Sequence, residues 1–209
     1  FVKAKSLYNK AQTANNTELK ESLLTNALTA VKQVSGNLTN QLTDNIRNSL
    51  VDVANQYYPS QLDRAYTLLQ QLSKEGVEKA LFSISEHRAT ETKALSEASD
   101  KYKFTTKAID EINSYKLKGI TKHTSYQLLW DIKIASAIES IKGLNNQDAD
   151  IELEKINKQL EATGFEQELT KSKSKSIIEE IIRRKYLIAR DLEVNKNFAD
   201  AANLYKDIS

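Results

Sequence analysis

The stretch Ile188 to Ile208, IARDLEVNKNFADAANLYKDI, decides how the rest of the chain is read. It reads as the end of one helix, a short polar turn at Asn195 to Asn197, and a second helix opening at Phe198. In the second helix Phe198, Ala201, Leu204, Tyr205 and Ile208 recur at intervals of three and four, so they share one face. The first twelve residues, FVKAKSLYNKAQ, set Phe1, Ala4, Leu7, Tyr8 and Ala11 at the same intervals. Leu62, Ala65, Leu68, Leu69 and Leu72 do so again in the middle of the chain. A helical unit that recurs with an apolar face it cannot bury alone predicts an array of helical hairpins.

Working back from that stretch, apolar residues keep the helical period almost everywhere and no stretch alternates long enough for a strand. Leu24, Ala27, Val31 and Val34 give one stripe, with a stop at Gly36; Leu42, Ile46, Leu50 and Val53 give the next. Tyr58-Pro59-Ser60 marks a boundary, and Ser60 with Asp63 has the spacing of a capping box. Gly76 precedes a helix through Ile84. The run from His87 to Asp100 has helix formers but few large apolar groups, which predicts an exposed helix or a helix with a break. Phe104 to Tyr115 forms another stripe closed by Lys118-Gly119. Tyr126 to Lys142 is apolar on more than one face, so it is expected between neighbours, anchored by Trp130. A helix through Ile151, Ile156 and Leu160 stops at Thr163-Gly164. Lys171 to Ser176 reads as a turn, and Ser176 with Glu179 as the capping box of a last long helix to Val194. The sum is an all-α chain of about ten helices, read as a helical-hairpin array, with a compact irregular helical bundle as the alternative.

Composition bounds the function. Five Gly and one Pro in 209 residues leave little punctuation for tight turns and favour long helices. Thirty basic against 28 acidic side chains give a net charge of +2, which argues against a dedicated nucleic-acid binder. No cysteine is present, which removes disulfides and thiolate metal sites. No run approaches the ~18 apolar residues of a membrane span. With no Met and both ends inside helical patterns, the chain reads as a piece of a longer protein. It is taken as one domain over 1–209, with sub-boundaries near 58–60 and 119–123.

At this point the closing stretch resembles the tetratricopeptide repeat family. Ile188-Ala189, Leu192, the NKNF turn, Ala201, Tyr205 and Ile208 fall in its register of paired antiparallel helices, about 34 residues per repeat. Lys196 stands where that family prefers Gly, Lys185 at its opening aromatic position, and Ile208 in place of a small residue. Leu62 to Phe198 is four such periods, yet Ser96, Trp130 and Gly164 do not carry the motif, and Phe1 to Leu62 is no multiple. The resemblance implies a tetratricopeptide-like α-solenoid, a cytoplasmic setting, and a concave groove lined by the first helix of each hairpin. In that register Arg183, Tyr186 and Arg190 face the groove, where they would hold an acidic peptide or a C-terminal carboxylate by charge-assisted hydrogen bonds.

No catalytic constellation stands out. His87 and His123 are far apart with no ligand at metal spacing, and a surface or helix-end role is expected for both. There is no HExxH, no phosphate loop and no nucleophile elbow. Glu152/Glu154 and Glu179/Glu180 read as solvated faces beside lysines. Lys171, Lys173, Lys175, Arg183, Arg184 and Lys185 gather basic charge around one helix N-terminus, read first as a solvated turn and helix face. Asn15-Asn16-Thr17 and Asn37-Leu38-Thr39 match the glycosylation acceptor pattern, as chance allows in an Asn- and Thr-rich chain. The expected function is a non-catalytic protein–protein interaction scaffold for a peptide or partner domain, without cofactor or metal. The alternative is a structural or regulatory helical domain making intramolecular contacts within a larger multidomain protein.

Overall fold

The computed structural model describes residues 1–34 and 37–208, with backbone only at 37 and 38. The stop assigned to Gly36, and the Asn37 side chain of the second acceptor pattern, lie outside the described residues. The chain is all-α, 83% helical, with no strand among the described residues. Ten α-helices follow one another: α1 Val2–Gln12, α2 Thr17–Val31, α3 Asn37–Tyr57, α4 Leu62–Lys74, α5 Glu78–Ala94, α6 Ala98–Ser114, α7 Thr124–Ser140, α8 Asn146–Glu161, α9 Gln167–Val194 and α10 Phe198–Asp207.

The helices form two compact units, the first holding Phe1–His87 and Glu111–Ile120, the second Arg88–Asp110 and the chain from Thr121 onward. Both α5 and α6 contribute to each. The boundary read at 58–60 lies inside the first unit.

In the first unit α1 packs on α2, α2 on α3 and α3 on α4. Side chains also link helices two apart. Gln12 of α1 donates to Ser49 of α3, Asn55 of α3 to Ser83 of α5, and Gln70 of α4 to Glu111 of α6. Between α2 and α4, Arg64 binds Glu18 and Glu21 at 3.0 and 2.7 Å and stacks over the Tyr57 ring. The stripes read from sequence close the core: Leu24, Ile46, Leu69, Leu72, Leu81 and Ile84 are fully buried, each contributing about 1.5–3 kcal/mol.

In the second unit α8 packs on α9, α9 on α10, and α7 on both α8 and α9. Tyr102 of α6 donates to Glu152 of α8, two helices on. Trp130 is buried, as expected, against Phe165.

The three motif copies share one burial pattern. Ala4, Ala65 and Ala201 are buried at 1% exposure or less, while the large openers Phe1, Leu62 and Phe198 are 38%, 42% and 65% exposed. The small residue faces the neighbouring helix and the opener does not, which corrects the reading of all five positions as one buried face.

Several local expectations are corrected. The stretch Lys171 to Ser176 is not a turn: α9 starts at Gln167 and runs 28 residues through it. The run contains no Gly or Pro to break a helix, and Lys173, Ser174 and Ile177 are buried on its inner face. Consequently neither the Ser176 capping box nor a helix N-terminus exists there. Ser60 does not cap α4; its hydroxyl donates to the Tyr57 carbonyl, and Gln61 is the N-cap residue. Of the two expectations for the run after His87, the helix with a break holds: it is helical to Ala94 and resumes at Ala98. It is not an exposed helix, since Ala89 and Thr92 are buried. Small residues there allow close packing that a search for large apolar groups overlooks. Helix α6 ends at Ser114, before Lys118-Gly119, with Lys116 at φ 54°.

Candidate functional site

Helix α9 carries every candidate side chain, and its helical period sorts them onto different faces. The inner face holds Lys173, Ile177 and Arg184, all buried. Lys173 donates to the Gln127 carbonyl at 3.0 Å and pairs with Asp131, both on α7. Arg184 donates to Glu180 at 2.9 Å, to Asn146 at 3.0 Å and to the Ile141 carbonyl at 3.4 Å. Lys185 sits against α8, 3.0 Å from Glu154 and 3.9 Å from Asp150. Its ammonium is pushed up, first by the Glu154 hydrogen bond. These three cations tie α9 to its neighbours and are not a free basic surface. Lys171 and Lys175 are exposed, Lys175 reaching Glu179 at 3.9 Å.

Arg183, Tyr186 and Arg190 lie at intervals of three and four and are exposed. Their surroundings differ. Arg183 is gripped by both oxygens of Glu180, at 2.7 and 2.5 Å. The Arg183 hydrogen bonds, ahead of those from Arg184, hold the Glu180 carboxyl below its usual range against partial desolvation. Tyr186 is half exposed, its ring 5.7 Å from that of Tyr205. Arg190 has no ion-pair partner among the described residues.

A groove runs between α7 and α9, with a cavity of about 390 Å³. Ile134, Ala135 and Ile138 form its apolar wall on α7, and Ser172 and Ser176 its polar wall on α9, above the Lys173–Asp131 pair. Ser172, Ser176, Arg183 and Arg190 follow at steps of four, seven and seven, so they form one strip along α9. Sequence reading had the α7 signal, apolar residues on more than one face, but assigned all of it to packing.

His123 takes the helix-end place expected of it, and His87 departs from expectation. His87 is buried in mid-α5, stacked on Tyr58 at 3.7 Å and edge-on to Tyr66, because aromatic neighbours from the α3–α4 turn and α4 cover it. His123 is the N-cap residue of α7. Among the described residues no three His, Asp or Glu side chains are grouped to hold a metal ion, and no helix is long and apolar enough to cross a membrane. Glu180 belongs to the α9 pairing network, and Glu152 accepts from Tyr102 in addition to meeting Lys155. The fold and groove thus define an all-α protein with an interhelical cleft on α7 and α9. No protein-family model, no curated protein and no solved structure matches the chain.

Proposed function

We infer that the chain is a non-catalytic protein–protein interaction scaffold, a tetratricopeptide-like stack of helical hairpins that binds a peptide along the groove of α7 and α9. The observation that carries this reading is the groove itself, with an apolar wall on α7 and Ser172 and Ser176 on α9, the helix two further on, from which the exposed strip continues to Arg183 and Arg190. Links between helices two apart, within each unit, are what stacked hairpins require. In the first unit a second cleft, about 450 Å³, lies against α3, the α4–α5 turn and α5. Clefts beside odd-numbered helices suit an array whose first helices line the binding face. Lys196 at φ 63° gives the hairpin turn the backbone for which the family favours Gly.

The test is peptide binding by the chain with Arg183, Tyr186 and Arg190 all changed to Ala. Peptides selected by the unaltered chain from a displayed library should bind this variant at least about tenfold more weakly, ~1.4 kcal/mol, by fluorescence anisotropy. All three side chains are exposed, so the helical circular dichroism should not change. Equal affinity would remove these residues from the site.

A further inference from the structure

The α7–α9 groove also constrains what kind of peptide fits, an inference that rests on the interaction reading above. Asp131 is matched by Lys173, Glu179 by Lys175, and Glu180 by Arg183 and Arg184. The Arg183 guanidinium is committed to Glu180 through two hydrogen bonds. Of the strip's two arginines, Arg190 alone forms no ion pair among the described residues; the Glu193 carboxylate, which shares the surroundings of Tyr205 with it, accepts from the Tyr205 hydroxyl at 3.1 Å. A bound anion gains most at an uncommitted guanidinium, because it displaces no existing pair.

At the other end of the strip lies the groove, whose α7 wall is apolar. Its cavity of about 390 Å³ beside Ile134, Ala135 and Ile138 has room for a side chain or two. It has no room for a helix ~10 Å across. Arg190 lies about four turns beyond Ser176 along α9, about 21 Å at ~1.5 Å per residue. An extended chain covers that distance in about six residues at ~3.3 Å each. We propose that the groove and the α9 strip beyond it take an extended peptide with one large apolar side chain on the α7 wall and, about six residues away, a carboxylate on Arg190. Arg183 is then a neutralised passage between the two anchors, and the charge readout of the site is Arg190.

The experiment is selection from a library of displayed random peptides long enough to span the groove, panned on the whole chain. Enriched sequences should pair a large apolar residue with Asp or Glu about six positions away. Arg190→Ala should weaken their binding about tenfold and more than Arg183→Ala does. Ala135→Trp, at an exposed position of the α7 wall, should block them without loss of helix content. Enriched peptides that lack this spacing, or that depend on Arg183 more than on Arg190, would overturn the inference and leave the scaffold reading standing. No enrichment at all would overturn both.

Discussion

Lys133 is a lysine that amphipathic periodicity places at the surface and the fold places in the core. It sits on α7 at 1% exposure, its ammonium 2.9 Å from Gln159 and 4.8 Å from the centre of the Trp130 ring. Burial lowers its pKa, and the Asp110 and Glu152 charges oppose the fall. The unfolded lysine titrates near 10.5, so between the folded value and 10.5 the unfolded chain holds more protons and stability rises with pH. Tyr57 works in the opposite direction. Burial first, then its hydrogen bond to Glu21, push the phenol from 10.0 up to about 12. Its stabilisation is complete below pH 10 and is lost as pH rises through about 12. Urea denaturation at a series of alkaline pH values should separate the two. Lys133→Met is expected to abolish the rise, and at neutral pH to leave stability unchanged or higher by about 1 kcal/mol, since exposed Gln159 can turn to water. Tyr57→Phe should reduce the loss above pH 10. A Lys133→Met protein that keeps the full rise would remove the lysine as its source.

At the scale of elements, helix ends decide how the hairpins turn. After α4, the Val77 amide donates to the Leu72 carbonyl and Gly76 to Ser73, with Gly76 at φ 82°. After α9, the Asn197 amide donates to Leu192 and Lys196 to Glu193, with Lys196 at φ 63°. The two turns are one motif, in which the residue after the C-cap must be left-handed. Glycine meets that demand freely in the first, whereas lysine is strained in the second. Lys196→Gly should therefore raise stability by about 0.5–1 kcal/mol, and Gly76→Ala should lower it by about 1 kcal/mol although its Cβ would meet nothing within 4 Å. Thermal melts of both variants check this; a Lys196→Gly protein no more stable than the parent would show that the turn carries no strain. The same scale explains where sequence reading failed. A capping box at Ser60 or Ser176 is local chemistry, and each gave way to a neighbour: the Tyr57 carbonyl for one, the docking of Lys173 on α7 for the other.

Across the molecule, each unit is held by an arginine joining elements remote in sequence. Arg64 draws α2 to α4 in the first, and Arg184 draws α9 to the start of α8 and the turn after α7 in the second. The two differ in burial. Arg64 is partly exposed, so its ion pairs are screened and contribute modestly, whereas Arg184 is 5% exposed and its loss leaves Asn146 and the Ile141 carbonyl without their donor, while Glu180 keeps Arg183. Trp130, the only tryptophan, is in the second unit, so its emission reports that unit alone. Arg184→Ala is expected to cost about 2 kcal/mol in the denaturation curve followed by Trp130 emission, from the two acceptors left unpaired and the packing lost. A shift below about 1 kcal/mol would mean that the pairing contributes little.

The all-α class, the approximate number of helices and the identity of most core residues are legible from the chain alone, because the spacing of apolar side chains is a local property. The chain also brings Arg183, Tyr186 and Arg190 to one helix face for the same reason. Which cations are free is settled by the packing of the helices. Lys173, Arg184 and Lys185 look no different from Arg190 in the sequence, yet each meets a partner on another helix, and Arg183 meets Glu180 on its own. The pairings of Lys173, Arg184 and Lys185 depend on residues dozens of positions away, about which helical periodicity carries no information, whereas Arg183 and Glu180, three apart on one helix, are a pair the spacing itself allows.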